Sequence, residues 1–290
     1  MICRLCPRNC GAERTEETGG GVCGQPSLPV VAKAMLHQWE EPCLVGEHGA
    51  GTVFFSGCNL RCCFCQNGVI SREGVGKMVS PRRLREIFRQ LIAQGAACLD
   101  LVTPTHFTPA VLEALGDEDW GVPVVWNCGG YEKVETLKAL EGKVQVYLPD
   151  LKYALPEKAK QYSAAEDYFE VASAAILEMF RQTGPYRMEG GQLKSGVLIR
   201  HLLLPGEVEN TRRVIDWVAE NFREGDVLFS LMSQYTPQKG AQGGLARHVT
   251  RAEYRAATAY MENCGIVDGF TQERTSAREE YTPEFDLSGV

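Results

Sequence analysis

The chain has 290 residues and a mass of 32.0 kDa, which fits one large domain or one domain with small appendages. Hydrophobic residues make up 44% and charged residues 23% of the chain, so a disordered protein is excluded and a sizeable core is expected. The 30 basic and 37 acidic residues give a net charge of −7, which argues against a general nucleic-acid-binding protein because such a protein presents a basic surface.

No apolar run in the sequence is long enough to cross a bilayer, and the first residues lack the apolar core of a signal peptide. We therefore predict a cytoplasmic protein that does not associate with membranes. In that reducing compartment, closely spaced cysteines indicate metal binding rather than disulfide bonds. The chain has 12 cysteines, and most of them fall into two short groups.

Residues 1–45 are rich in cysteine and glycine and show little hydrophobic periodicity. They contain the spacing Cys-x2-Cys-x3-Cys-x12-Cys, formed by Cys3, Cys6, Cys10 and Cys23. Four thiolates make a closed ligand set, as in a structural zinc site or a fully ligated [4Fe–4S] cluster, and the spacing does not separate these two. We predict that this segment is held together by such a metal, the alternative being free thiols in a disordered arm.

Short apolar runs alternate with segments of helical periodicity from residue 50 onwards. The predicted strands cover residues 51–55, 98–102, 122–126, 144–148, 197–204 and 227–232. The first predicted helix begins at Pro81, after Ser80 as its N-cap, and stops at Gly95. Further helices are predicted over 108–115, 132–140, 157–182 with a break near 161–163, 209–222 and 251–263.

This alternation predicts right-handed βαβ units and a parallel sheet covered by helices. About six units are present, fewer than the eight of a complete barrel. The predicted fold is α/β, a partial (β/α)6 TIM-like barrel with a small cysteine-rich N-terminal arm. We assign residues 1–45 to the metal-binding segment, 46–235 to the barrel core and 236–290 to a C-terminal helix and tail.

Cys58, Cys62 and Cys65 follow the first strand with the spacing Cys-x3-Cys-x2-Cys. Three thiolates in one loop can hold three irons of a [4Fe–4S] cluster, whose usual complement is four cysteines. The fourth iron is then open to another ligand, and an open coordination position makes a metal site reactive. A zinc site is the structural alternative. Cys63 lies between residues that already complete the pattern, so we interpret it as a non-ligand.

This loop, with the aromatic Phe64 before its last cysteine, resembles the signature of the radical S-adenosylmethionine (SAM) superfamily. Residues 50–235 resemble relatives of the pyruvate formate-lyase activating enzyme. The resemblance implies a [4Fe–4S] cluster that binds the amino and carboxylate groups of SAM and, once reduced, cleaves SAM to a 5′-deoxyadenosyl radical that abstracts hydrogen from a substrate. It also implies flavodoxin or ferredoxin as the electron donor and a glycyl-radical enzyme, or another polypeptide, as the substrate.

Polar residues at the ends of the predicted strands match positions where this family binds SAM. Thr103 and Thr105 stand where the family has Gly-Gly-Glu, and residues 127–130 are similar to its Thr-Asn-Gly. The pair Asp150 and Lys152 resembles its Asp-x-Lys, and residues two apart on a strand share a face. The residues that the resemblance places at the SAM site are Phe64, Thr103, Thr105, Asn127, Gly129, Asp150, Lys152, Arg200 and Tyr235.

Three other charged or titratable positions need separate interpretation. Arg200 lies inside an apolar strand, where an unpaired charge is costly, so it must have a partner. His201 would face the opposite side of that strand by alternation and is interpreted as structural. His106, in the turn after the second strand, is interpreted as a hydrogen-bonded turn residue rather than a substrate contact.

The function predicted from these observations is that of a radical SAM oxidoreductase of the activating-enzyme type. A radical SAM enzyme that modifies another peptide or a small molecule is the first alternative. An iron–sulfur or zinc electron-transfer protein without SAM turnover is the second, and the strand-end residues argue against it because a carrier needs no cleft. A nucleic-acid-modifying enzyme is disfavoured by the net charge of −7.

Overall fold

The computed structural model describes residues 2–271 and 283–290. Its strands are β1 (Val30–His37), β2 (Ala50–Phe55), β3 (Lys77–Met78), β4 (Leu99–Val102), β5 (Val124–Cys128), β6 (Val146–Pro149), β7 (Arg187–Glu189), β8 (Gln192–Leu202), β9 (Leu228–Met232) and β10 (Gly269–Thr271). Its α-helices are α1 (Pro42–Val45), α2 (Gly68–Ser71), α3 (Pro81–Ala93), α4 (Thr108–Leu115), α5 (Val134–Lys138), α6 (Pro156–Ser163), α7 (Tyr168–Thr183), α8 (Val208–Asn221) and α9 (Arg251–Asn263).

The six predicted strands form the centre of one open sheet in the order β9-β8-β6-β5-β4-β2. Each neighbouring pair among them is parallel, as connection through helices requires. The sheet does not close on itself, so the architecture is a partial barrel, and the predicted fold class is confirmed. The carboxyl ends of all six strands therefore lie along the same edge of the sheet.

Four strands were not predicted. β1 pairs antiparallel with β2, β3 pairs antiparallel with β1, β10 extends the other edge parallel to β9, and β7 forms a hairpin with β8. β1 comes from the segment that showed little periodicity, and it is buried on much of both faces, which removes the alternation expected of a half-exposed strand. It brings the N-terminal segment directly onto the barrel.

The two faces of the sheet have separate apolar clusters. The outer face packs against the helices, and α3 contributes a buried stripe formed by Leu84, Ile87, Phe88 and Leu91. The inner face is filled at the amino ends of the strands, where Cys43 and Leu44 of α1 pack against strand residues. Because α1 fills that end, space for a ligand remains only toward the carboxyl ends. Among the helices of the described ranges, none has the length and apolar character needed to cross a membrane.

His201 lies on the outer face of β8, as strand alternation predicts, and is fully buried. One ring nitrogen lies 2.6 Å from the carbonyl oxygen of Leu151 and the other 2.9 Å from the Thr211 hydroxyl on α8. Burial lowers the pKa of His201 from 6.5 to about 4. The imidazole is therefore neutral in the folded protein at neutral pH and joins the strand to the helix layer.

This buried imidazole predicts an acid-dependent loss of stability. Its contribution is fully present above pH 6.5 and is lost as the pH falls toward 4, because protonation then favours the unfolded chain. Over that range we expect His201 to account for about 3 kcal/mol of the fall in the free energy of unfolding. Denaturant unfolding at several pH values should show a flatter profile for His201→Gln, and an unchanged profile for His48→Gln at an exposed site. Parallel profiles for wild type and His201→Gln would refute the assignment.

Candidate active site

A cavity of about 230 Å³ lies at the carboxyl ends of the parallel strands. Ligands of parallel α/β folds bind at this edge because loops and helix termini converge there. The cysteine loop after β2 forms one wall of the cavity, and the ends of β4, β5, β6, β8 and β9 contribute the rest. The predicted site residues that line it are Cys58, Cys62, Phe64, Cys65, Thr103, Asn127, Gly129, Asp150, Lys152, Arg200 and Tyr235.

The sulfur atoms of all three central cysteines have hydrogen-bond donors. The backbone N–H of Leu60 donates to Cys58 Sγ at 3.3 Å, and the Ser163 hydroxyl donates to Cys62 Sγ at 3.0 Å. The backbone N–H of Asn67 donates to Cys65 Sγ. Donors placed on three sulfurs in one loop suit thiolates that bind iron, because such hydrogen bonds compensate the sulfur charge.

The environment of the thiols also fits a bound cluster. Burial, followed by the neighbouring Cys62, raises the pKa of Cys58 to about 12 and raises the pKa of Cys65. The thiols are thus protonated until a metal displaces their protons. The carboxamide oxygen of Asn67 is buried at the cavity and has no hydrogen-bond partner in the part of the chain that the structure describes. By contrast, the side chain of Cys63 is exposed and does not line the cavity.

Opposite the cysteines lies a network of paired charges. Asp150 accepts hydrogen bonds from Lys152 Nζ and, at 3.0 Å, from Arg200 Nε. Arg200 also donates from Nη1 to Glu40 Oε1 at 3.1 Å and from Nη2 to Asn127 Oδ1 at 2.6 Å. The Asn127 amide in turn donates to Glu40 Oε2 at 3.1 Å. The required partner of Arg200 is therefore a pair of carboxylates.

These side chains keep their charges although they are largely shielded from solvent. Burial alone would raise the pKa of Asp150, but the charges of Arg200 and Lys152 hold it below its usual value. Burial alone would lower the pKa values of Lys152 and Arg200, but the Asp150 charge raises both. The site thus presents two cations and two anions that compensate one another, a pattern suited to a zwitterionic ligand.

Two glycines let the strand ends approach the cysteine loop. A Cβ on Gly129 would lie 2.8 Å from the Leu60 side chain, so the backbone passes close beneath that loop. Gly130 has a φ of +76°, and a Cβ there would lie 2.1 Å from the Asp150 carbonyl oxygen. Glycine is therefore required at position 130, whereas a side chain at position 129 would displace the end of Leu60.

The predicted residues are not equivalent in the structure. Thr105 does not line the cavity. It is buried outside it, and its hydroxyl donates to Glu132 at 2.5 Å. Thr103 lines the cavity with a φ of +60°, a strained conformation for a β-branched residue. Tyr235 presents its ring rather than its hydroxyl, which donates to the Leu245 carbonyl at 2.6 Å. That ring packs edge-on against Phe64.

His106 is buried outside the cavity, as its interpretation as a turn residue predicts. One of its ring nitrogens lies 2.7 Å from the Ser56 carbonyl oxygen. Burial lowers its pKa to about 4, so the ring is neutral at physiological pH.

Glu40 is a cavity residue that the sequence analysis missed. It follows β1, and its neighbour Trp39 lines the cavity with 61% of its surface exposed. The sequence signal for Glu40 is weak, because a glutamate after an unrecognised strand resembles any surface carboxylate. Recognising β1 beside β2 would have placed this glutamate at the active edge of the sheet.

The four N-terminal cysteines are also close enough for their thiols to influence one another. Burial raises the pKa of Cys6 to about 12, with further contributions from Glu132, Cys23 and Cys3. Burial raises the pKa of Cys23, which also interacts with Cys3 and Cys10. Each of three sulfurs has an N–H donor: the Arg14 guanidinium donates to Cys3 Sγ at 3.5 Å, and backbone groups donate to Cys6 and Cys23.

Neither cysteine group forms a ready-made site for one ion. Within residues 2–271 and 283–290, no three His, Cys, Asp or Glu side chains are arranged to hold a single metal ion.

No protein-family model matches this chain. The uncharacterized protein MJ0674 of Methanocaldococcus jannaschii is 29% identical over 276 residues, which cover 91% of this chain and 75% of that protein. This likeness covers most of the chain and indicates no activity.

Crystal structures of Streptococcus suis SuiB share the fold. One of them superposes with a TM-score of 0.52 at 14% sequence identity. The match covers 77% of this chain and 48% of the SuiB chain. Two further structures show SuiB bound to S-adenosylmethionine and to the precursor peptide SuiA. Each gives a TM-score of 0.51 at 13% sequence identity, and each match covers 75% of this chain. The matched parts make up 45% and 47% of the respective SuiB chains. The chain thus spans about half the length of SuiB, and the likeness establishes the fold.

Proposed function

We propose that this chain is a radical SAM enzyme whose central cysteines, Cys58, Cys62 and Cys65, hold a [4Fe–4S] cluster. The observation that carries the proposal is the position of three hydrogen-bonded cysteine sulfurs opposite a charge-paired network in one cavity. An electron carrier needs thiols but has no use for such a network. The fold shared with SuiB, which has been crystallised with bound SAM, supports the same conclusion.

The charged network supplies both halves of a site for the methionyl group of SAM. Lys152 and Arg200 offer donors to its carboxylate, while Asp150 and Glu40 offer acceptors to the N–H groups of its amino group. These four side chains pair with one another in the structure, so a zwitterion exchanges existing ion pairs for new ones and leaves no buried charge without a partner. Phe64 and Tyr235 add apolar ring surface to the same cavity.

The chemistry that the bound cluster supplies is one-electron reduction of SAM, which releases methionine and a 5′-deoxyadenosyl radical that abstracts hydrogen from the substrate. The protein's own part is to orient SAM and to exclude solvent from the cavity. We infer that the substrate is a polypeptide, with a glycine of a glycyl-radical enzyme as the specific candidate. The SuiB complex with the precursor peptide SuiA supports a polypeptide. Flavodoxin or ferredoxin is the proposed reductant, in the cytoplasm.

We further propose that Cys3, Cys6, Cys10 and Cys23 bind an auxiliary metal centre. The hydrogen-bond donors on their sulfurs suit the thiolates of a metal centre, either a [4Fe–4S] cluster or a structural zinc site. Residues 1–45 then act as the metal-binding segment, 46–235 as the catalytic barrel and 236–290 as the C-terminal addition.

Reductive cleavage of SAM tests the proposed function. The protein is loaded anaerobically with iron and sulfide, reduced with dithionite and incubated with SAM, and 5′-deoxyadenosine and methionine are quantified by chromatography. We expect both products to accumulate. An iron-loaded protein that neither forms these products nor binds SAM in equilibrium dialysis would contradict the proposal and favour a metal-binding electron carrier.

Replacement of Glu40 by glutamine should weaken SAM binding by about tenfold, because a charge-assisted hydrogen bond from the ligand's amino group to the carboxylate is lost. Affinity for 5′-methylthioadenosine, which lacks the amino-acid group, should remain as in the wild type. Equilibrium dialysis with both ligands separates this effect from general damage to the cavity.

Glu47→Gln is the matched control, since Glu47 is an exposed glutamate of the same segment outside the cavity. It should bind both ligands as the wild type does. Equal losses for SAM and 5′-methylthioadenosine in Glu40→Gln would show that Glu40 shapes the cavity without recognising the amino group.

A further inference from the structure

The N-terminal cysteine segment is joined to the central cysteine loop through the side chain of Arg8. Arg8 lies between Cys6 and Cys10, and its backbone N–H donates to the sulfur of Cys6. Its side chain points away from these cysteines: Nε donates to the Asn59 carbonyl at 2.7 Å and Nη2 to the Ser163 carbonyl at 2.6 Å. A single residue thus contacts both cysteine regions.

The two carbonyl groups held by Arg8 belong to residues next to the central sulfurs. Asn59 directly follows Cys58, and Ser163 donates its hydroxyl to Cys62 Sγ at 3.0 Å. Arg8 also donates to the Ala164 carbonyl, and its guanidinium lies 5.3 Å from the centre of the Tyr131 ring. The planar guanidinium is therefore fixed by three carbonyl groups and an aromatic ring, which ties Arg8 to the residues beside the central sulfurs.

A second contact region joins the same two segments independently of Arg8. Gln25, two residues after Cys23, packs so closely on Gly57 that a Cβ there would lie 2.3 Å from it. From the opposite direction, Arg61 of the central loop donates to the Val22 carbonyl at 3.0 Å. Residues beside Cys6 and Cys23 therefore touch the central loop at several points between Gly57 and Arg61.

We propose that Arg8 is a positioning residue through which metal binding at the N-terminal cysteines sets the geometry of the central cysteines and hence the affinity for SAM. The inference rests on the proposed function and goes beyond it, because it makes the auxiliary centre a control on SAM binding. Metal bound to Cys6 and Cys10 fixes the backbone on both sides of Arg8. The guanidinium then holds Asn59 and Ser163 in place, and with them the donor to Cys62 Sγ.

The test uses the full-length protein loaded anaerobically with iron and sulfide. Five forms are compared: wild type, Arg8→Gln, Cys10→Ser, the double variant and Arg4→Gln. Arg4 is an exposed arginine of the same segment, so its replacement removes the same charge without touching the central loop. Iron per chain, thermal unfolding, SAM affinity and the SAM-dependent change in the EPR spectrum of the reduced protein are measured for each.

We expect Cys10→Ser to contain less iron than wild type and to bind SAM about tenfold more weakly, as is typical when support of a metal ligand is lost. Arg8→Gln should keep the full iron content. Its SAM affinity and its SAM-dependent change in the EPR spectrum should differ from wild type in the same way as those of Cys10→Ser. The double variant should be no worse than either single variant, since both act through one contact. Arg4→Gln should match the wild type.

Three results would overturn the inference. Equal iron content in wild type and Cys10→Ser would mean that the N-terminal cysteines hold no iron under these conditions. If SAM affinity fell in Arg8→Gln but not in Cys10→Ser, Arg8 would only support the central loop locally. If the losses of SAM affinity in the double variant were additive, the two residues would act separately. If SAM did not change the EPR spectrum of the wild-type protein, the proposed function would be refuted, and the inference with it. Arg8→Lys serves as a second variant if Arg8→Gln unfolds early.

Discussion

Replacing Cys62 with alanine is expected to remove the central cluster and with it all SAM cleavage. Cys62 is a buried residue whose sulfur accepts a hydrogen bond from Ser163 and lies next to those of Cys58 and Cys65. With two thiolates left, the loop can no longer hold three irons of a cluster. Iron analysis of the reconstituted variant should show the loss of the central cluster, and 5′-deoxyadenosine should fall to background.

Cys63→Ala is the matched control, one residue further along the same loop. Its side chain is exposed and points away from the cavity lining, so iron content and SAM cleavage should equal those of the wild type. Loss of iron in Cys63→Ala together with its retention in Cys62→Ala would show that the ligand set is wrongly assigned.

Asp150→Asn is expected to cause the second largest effect, on stability and on ligand binding together. The carboxylate of Asp150 compensates two cations that are largely shielded from solvent, Lys152 and Arg200, and removing one partner of a shielded ion pair leaves an uncompensated charge. We expect the free energy of unfolding to fall by about 3 kcal/mol and SAM binding to weaken strongly. Chemical denaturation and equilibrium dialysis measure the two effects.

The control for this variant is Asp117→Asn, which breaks an ion pair to Lys143 at the protein surface. Because Asp117 is fully exposed, water and salt already compensate its charge, and no measurable loss is expected. Similar denaturation curves for the two variants would mean that the cavity network contributes no more than a surface pair.

The barrel was predictable because its strands are short apolar runs that alternate with helices. The N-cap of α3 illustrates the local signals: the Ser80 hydroxyl accepts from the Arg83 N–H, as the Ser-Pro start predicts. The four additional strands were not predicted, since β3, β7 and β10 are only two or three residues long. β1 is longer, but burial on both faces removed its alternation.

The candidate site was predictable where its residues lie close together in sequence. The prediction failed where residues are brought together by tertiary contacts. The central cysteines and the pair Asp150 and Lys152 are recognisable from spacing within one segment. Glu40 reaches the same cavity from another part of the chain, and only the pairing of β1 with β2 reveals it. Thr103 and Thr105 both match the strand end where the family binds SAM, but only Thr103 lines the cavity. A turn directs the side chain of Thr105 to Glu132.

Contact between SAM and the central cluster is the claim on which the whole account depends. The most direct measurement is EPR spectroscopy of the reduced protein, with and without SAM that is isotopically labelled at its amino nitrogen. The account predicts that SAM changes the cluster spectrum and that the labelled nitrogen is magnetically coupled to it. A spectrum unchanged by saturating SAM, from a protein with a complete central cluster, would contradict the account.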